Sequence, residues 1–186
     1  NGDGTYSFAA GVAPTQSSPT AVWSFEWSIN SDYLGTESRN LDQLTYVLGI
    51  DSNPGLGTTW STFDPVNDTN PGNSLVLWDH SLGNNSTTSS TDSIAVSEAN
   101  YAALIGANNV AQNSWKAHWF LGGGFDPTVD GQYDFYLAAF DGATQLARSD
   151  MSIIVGLGAP VPVPAAAWLF GSALGLLGWM RRREMV

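Results

Sequence analysis

Cysteine is absent from all 186 residues. No disulfide can therefore brace the fold. The only histidines are His80 and His118, which leaves too few ligands for zinc or iron–sulfur centres. Basic residues are scarce as well: 6 Lys and Arg stand against 17 Asp and Glu, a formal net charge of −11. All but one of the acids precede Gly158, where Arg39, Lys116 and Arg148 are the only bases. A surface this acidic repels nucleic acid and anionic polysaccharide and favours divalent cations or basic partners. Nucleic acid is excluded as a partner.

Glutamate is also thin on the ground. Glycoside hydrolysis needs a pair of carboxylates, and before the tail the only glutamates are Glu26, Glu37 and Glu98. Glu26 falls on the polar face of an early strand and Glu37 in a loop. Glu98 opens a helix, where the dipole favours a carboxylate. A serine hydrolase would need an exposed nucleophile, and there is no Gly-x-Ser-x-Gly elbow. His118 sits among aromatics and His80 at a strand end, as packing or surface residues. The expectation is a protein with no catalytic residues, not an enzyme.

What is abundant is alternation. Trp23, Phe25, Trp27 and Ile29 alternate with Ser24, Glu26 and Ser28, the period of a half-buried antiparallel strand. Tyr6 and Phe8 open a shorter strand. Leu44, Tyr46, Leu48 and Ile50 repeat the pattern and stop at Asp51-Ser52-Asn53-Pro54-Gly55, a turn in which Pro presets φ and Gly supplies a positive one. Further strands are expected over 58–63 and 75–78. Another is expected around Trp115, Ala117, Trp119 and Leu121 on one face, with Lys116, His118 and Phe120 on the other. Tyr133, Phe135, Leu137 and Ala139 lead into Asp141-Gly142, the strongest hairpin signal in the chain, with a return over 144–155. Residues 83–92 are nearly all Asn, Ser and Thr and have nothing apolar to bury, so a mobile surface loop is expected. Asn84-Asn85-Ser86-Thr87 within it contains overlapping glycosylation acceptor patterns. A single short helix is expected around 97–105, capped by Ser97 and stopped by Gly106 and Asn108. Eight or nine strands without βαβ alternation predict a mainly β fold, an antiparallel β-sandwich with one short helix. A closed barrel is the second choice.

Two side-chain sets invite a ligand. Asp51, Asn53, Asp64, Asn67, Asp68 and Asn70 lie in acidic turns and carry the hard oxygens that calcium takes. Asp, Asn and Gly also dominate turns for backbone reasons. No EF-hand spacing is present, and calcium is the one cofactor the residues suggest. Aromatic rings stack on sugar rings when exposed. Trp23 and Trp115 alternate in phase with apolar neighbours and are expected inside, whereas the pattern leaves Trp60 and Trp78 open.

The end of the chain is different in kind. Residues 165–180, AAAWLFGSALGLLGWM, contain no charge. As a helix they cover roughly 24 Å, somewhat short of a hydrocarbon core about 30 Å thick. Trp168 and Trp179 stand near the ends, where indoles prefer the interface. Arg181, Arg182 and Arg183 can snorkel to the headgroups, and Pro164 suits a first helical position. A buried helix of a soluble domain would not end in an arginine cluster after an unbroken apolar run. A membrane helix is expected, with the arginines as a stop on the cytoplasmic side and the preceding domain outside. Ala167, Gly171 and Gly175 fall on one face, a small-residue array suited to helix packing. The chain begins at Asn1 with no basic-then-apolar leader, so removal of a secretory signal is expected.

The succession Val161, Pro162, Val163, Pro164 and Ala165, then an apolar helix rich in Gly and Ala, then a basic cluster, resembles the PEP-CTERM sorting signal in its VPxPA variant. The resemblance covers only the tail. It implies recognition by an exosortase-like membrane processing enzyme during export to the surface. It also implies an exopolysaccharide-rich setting of the kind found in biofilm matrices. The expected organisation is an extracytoplasmic β domain over 1–158, a Pro-rich linker over 159–164, a transmembrane and sorting helix over 165–180 and a basic cytoplasmic tail over 181–186. Two functional readings follow. One is a non-enzymatic exported surface or matrix protein. It is anchored in the bacterial inner membrane with its domain in the periplasm, or released after processing, and its partners are the lipid bilayer, exopolysaccharide or further copies of itself. The other is a single-span accessory subunit of a larger membrane complex, its β domain on the outer face.

Overall fold

The computed structural model describes residues 2–55, 57–67, 80–88 and 92–156. The residues that resemble a sorting motif, the apolar run, the arginines, Asp68 and the strand expected over 75–78 lie outside the described residues.

Nine strands and one helix are present among them. In chain order these are β1 (Thr5–Phe8), β2 (Ser24–Asn30), β3 (Thr45–Asp51), β4 (Trp60–Phe63), β5 (Ser81–Gly83), β6 (Ser93–Ile94), helix α1 (Glu98–Ile105), β7 (Val110–Lys116), β8 (Gly131–Asp141) and β9 (Thr144–Val155). They form two sheets, one ordered β1-β9-β8-β3-β4 and the other β2-β7-β5-β6. The fold is mainly β, in two separate sheets rather than one closed barrel. One pairing departs from the antiparallel expectation: β1 runs parallel to β9, with Thr5 opposite Ser152 and Phe8 opposite Val155. Parallel strands need a crossover, and here residues 9–143 lie between the two. No local periodicity could signal such a pairing.

The alternation of the sequence becomes the two inner faces. Phe25, Trp27 and Ile29 of β2 are buried, as are Tyr46, Leu48 and Ile50 of β3 and Tyr133 and Phe135 of β8. The faces meet through rings. Phe25 lies 4.8 Å from Phe135, and Trp23 lies 5.6 Å from Tyr133. Each large apolar side chain so buried contributes about 1.5–3 kcal/mol of transfer free energy. This replaces the disulfides that a cysteine-free chain cannot make.

Turn chemistry fixes the connections. Gly142 has φ +55 in the hairpin between β8 and β9, and Asp141 pairs with Thr144 across it. Ser97 caps α1 by accepting the Asn100 amide. At the other end the Gly106 amide donates to Ala102 and the Asn108 side chain donates to Leu104.

The expected strand through Leu121 ends early. β7 stops at Lys116 and the chain enters a 3₁₀ turn, Ala117–Trp119. A 3₁₀ turn repeats every three residues rather than two, so Ala117 is followed inward by Phe120. Phe120 packs 4.6 Å from Trp115 and stacks at 5.5 Å on Phe63. Trp119, expected on one face with the buried Trp115, is 51% exposed. The described part of the polar run after β5 is also tied down. The Asn85 amide donates to the Asp32 carbonyl and accepts from Asn30, while Thr87 Oγ1 receives the Asn84 amide.

Candidate functional site

The outer face of the five-stranded sheet gathers the chemistry. Along β3, Gly49 is paired with Thr62 of β4 on one side and Tyr136 of β8 on the other. An isolated glycine inside a strand marks a close approach, and here the Tyr136 ring occupies the place where a Gly49 side chain would begin. With that space open, Tyr136 reaches across β3 toward Trp60. The two rings meet edge to face, with centroids 5.0 Å apart and planes at 72°. Trp60 sits on the edge strand and remains 41% exposed.

On the opposite side of Tyr136 stands Arg148 of β9. Its guanidinium carbon is 3.9 Å from the Tyr136 centroid, a cation–π contact. The guanidinium is also forked onto Asp150, with Nε donating at 2.9 and 3.0 Å and one terminal nitrogen at 2.6 Å. That pairing, led by the Asp150 hydrogen bond, raises the Arg148 pKa further. Below it, Ser152 Oγ and Gln132 Nε2 both donate to Asp134. The result is a continuous strip, Trp60–Tyr136–Arg148, crossing four strands. The ring centres and the guanidinium carbon fall within about 9 Å of one another, and Asp134 and Asp150 border it.

The residues suggested for calcium are used otherwise. Asp51 Oδ1 accepts the backbone amides of Asn53 and Thr59. Asp64 Oδ1 accepts those of Val66 and Asn67, while its Oδ2 accepts Tyr46 N–H and the Asn67 side chain. Asp51 ends β3, whereas Asp64 is bound to Tyr46 near its start. Five residues of strand separate these points, about 16 Å, so no single ion can bridge the two carboxylates. Asn53 stays beside Asp51 and accepts the Gly55 amide. Among the described residues, no group of three or more His, Asp or Glu side chains is placed to hold a metal.

Other acids act as turn pins. Asp32 accepts the amides of Thr36, Glu37 and Ser38. These bonds, the Glu37 amide foremost, hold its carboxyl below the usual carboxylate range against the opposing effect of burial. Glu37 pairs with Arg39 at 2.9 Å, and Arg39 reaches Asp141 at 3.1 Å.

The histidines take packing places. His80 is buried, 5.2 Å from the Trp27 ring. Tyr101 Oη donates to the Val66 carbonyl at 2.7 Å and lies 2.8 Å from His80 Nε2. With its one proton committed to Val66, the hydroxyl takes the Nε2–H of His80. Burial pushes the Tyr101 phenol well above its ordinary range. His118 lies beside Trp119. Partial burial and the Lys116 charge hold its imidazole below the ordinary value.

Of the tryptophans weighed for sugar stacking, Trp23 and Trp115 are buried and Trp60 is exposed. Sequence reasoning missed Gly49, Tyr136 and Arg148. The available signal was a glycine inside an alternating strand. Ala167, Gly171 and Gly175, with Val161, Pro162, Val163, Pro164, Ala165 and Arg181, Arg182 and Arg183, lie outside the described residues. Among those described, no helix is long and apolar enough to cross a membrane. Comparison with protein-family models, with curated proteins and with solved structures finds no match to this chain.

Proposed function

We propose that the chain is a non-enzymatic exported surface or extracellular-matrix protein, its β domain displayed by a C-terminal sorting and anchoring tail. The observation that carries this reading is the order of the sequence beyond β9. A Pro-Val-Pro segment, an uncharged apolar run and three arginines follow one another directly. That order supports export, insertion in the lipid bilayer and processing by an exosortase-like enzyme. The β domain supports a structural role in a different way. Its acids serve as turn pins at Asp32, Asp51 and Asp64 and as ion-pair partners at Glu37, Asp141 and Asp150, rather than as an acid–base couple.

The test is the mass of the C-terminal peptide from native material, read together with cell fractionation. The reading expects a chain ending near Pro164 in the surface or matrix fraction. A chain ending at Val186 and recovered with a membrane assembly would overturn processing. It would favour the single-span accessory subunit instead.

A further inference from the structure

We propose that the Trp60–Tyr136–Arg148 strip is a binding face for a neutral polysaccharide. Three observations converge on it. The rings and the guanidinium are fixed in place. Tyr136 lies over Gly49, Trp60 abuts Tyr136, and Arg148 is clamped by Asp150. A ligand stacking here therefore has little side-chain freedom to freeze, which is the main cost of engaging long or mobile residues. The strip is also open: Trp60 is 41% exposed, and the Arg148 and Asp150 side chains are 38% and 61% exposed. Finally, it is bordered by acceptors, with the carboxylates of Asp134 and Asp150 beside the rings.

A pyranose presents one C–H face to an aromatic ring and directs its hydroxyls outward around the rim. The guanidinium covers one face of Tyr136, so the exposed Trp60 indole is the platform on which one such ring stacks. Covering Gly49 accounts for Tyr136 by packing alone. It does not account for an exposed indole on the edge strand or for a guanidinium forked beneath a carboxylate on the same face.

Charge selects the class. Arg148 is neutralised by Asp150, Asp134 adds a further carboxylate, and the chain as a whole is at −11. A polyuronate is repelled by this field, while an uncharged hexose polymer meets hydrogen-bond acceptors without a Coulomb penalty. The inference deepens the reading as a matrix protein and rests on it for the setting in which the polymer is met. The site itself rests on the sheet.

The test uses the full chain in a zwitterionic, sugar-free detergent, because glycoside detergents would compete for the same rings. Binding to neutral hexose oligosaccharides and to a polyuronate is measured by calorimetry and by tryptophan fluorescence. The expected result is saturable binding of a neutral oligosaccharide and none of the polyuronate. Trp60→Ala lowers affinity at least tenfold, and Trp60→Tyr restores most of it. Trp119→Ala and Tyr33→Ala, which remove exposed aromatics elsewhere, leave affinity unchanged. Unchanged melting of the Trp60 variants separates lost stacking from lost fold. No binding to any neutral polymer at millimolar concentration, preference for the polyuronate, or equal loss from Trp119→Ala overturns the site. The export reading survives such a failure, because it falls only on the C-terminal mass.

Discussion

Replacing Gly49 by alanine tests how the strip is held. The added methyl must enter space now filled by the Tyr136 ring. Overpacking of this kind costs about 1–3 kcal/mol. Removing a glycine from a strand interior returns about 0.5–1 kcal/mol through the unfolded chain. The net expectation is a loss of about 1–2 kcal/mol, which for a chain of this size lowers Tm by about 2–8 °C. The decisive measurement is a double-mutant cycle. With Tyr136 already cut to alanine the clash is gone, so Gly49→Ala becomes neutral or stabilising by up to about 1 kcal/mol. Denaturant unfolding of the four proteins gives the coupling directly. An equal cost for Gly49→Ala in both backgrounds would refute the claim that glycine stands there to admit Tyr136.

Tyr101→Phe removes the buried proton that satisfies the Val66 carbonyl and the acceptor of His80. It is expected to lower unfolding free energy by about 1–3 kcal/mol, and an unchanged denaturation midpoint would disprove that pairing. Acid sensitivity follows from Asp32, whose folded pKa lies below the unfolded value of about 3.8. The unfolded chain therefore takes up the proton first, and the stability Asp32 gives is present above about pH 4 and lost as pH falls through the folded pKa. Asp32→Asn should shallow that limb without abolishing it, since Asp3 and Asp126 shift the same way. An identical acid limb in pH-dependent melting would count against the turn pin.

Most of the sheet content was legible because one period decides it. Where a strand packs on one face only, burial alternates with the side chains, as in β2 and the first half of β8. The hairpin at Asp141-Gly142 was legible for a local reason, the positive φ that glycine supplies. The 3₁₀ turn at Ala117–Trp119 was not. Apolar residues at 115, 117, 119 and 121 satisfy a two-residue period, and only the packing of Phe120 on Phe63 and Trp115 across elements reveals the turn. The parallel pairing of β1 with β9 is a contact between distant segments and leaves no local trace. The strip was half legible. Trp60 was open to a surface role on pattern alone, but Tyr136 and Arg148 join it through register, which spacing within one strand cannot convey. The acidic turns show a different limit. Asp51 and Asp64 resemble ligands by type, yet each turn uses its carboxylate to satisfy its own amides.

The place of β9 also bears on mechanical load. Any pull on the chain beyond Gly156 enters the domain through β9, which is bonded on both sides. Its registered pairs run from Thr144 to Val155 along β8, with Thr5–Phe8 on its other flank. A force directed along the strand loads these rungs together in shear instead of peeling them one by one. A domain tethered at this end would resist drag on whatever its outer sheet face had captured.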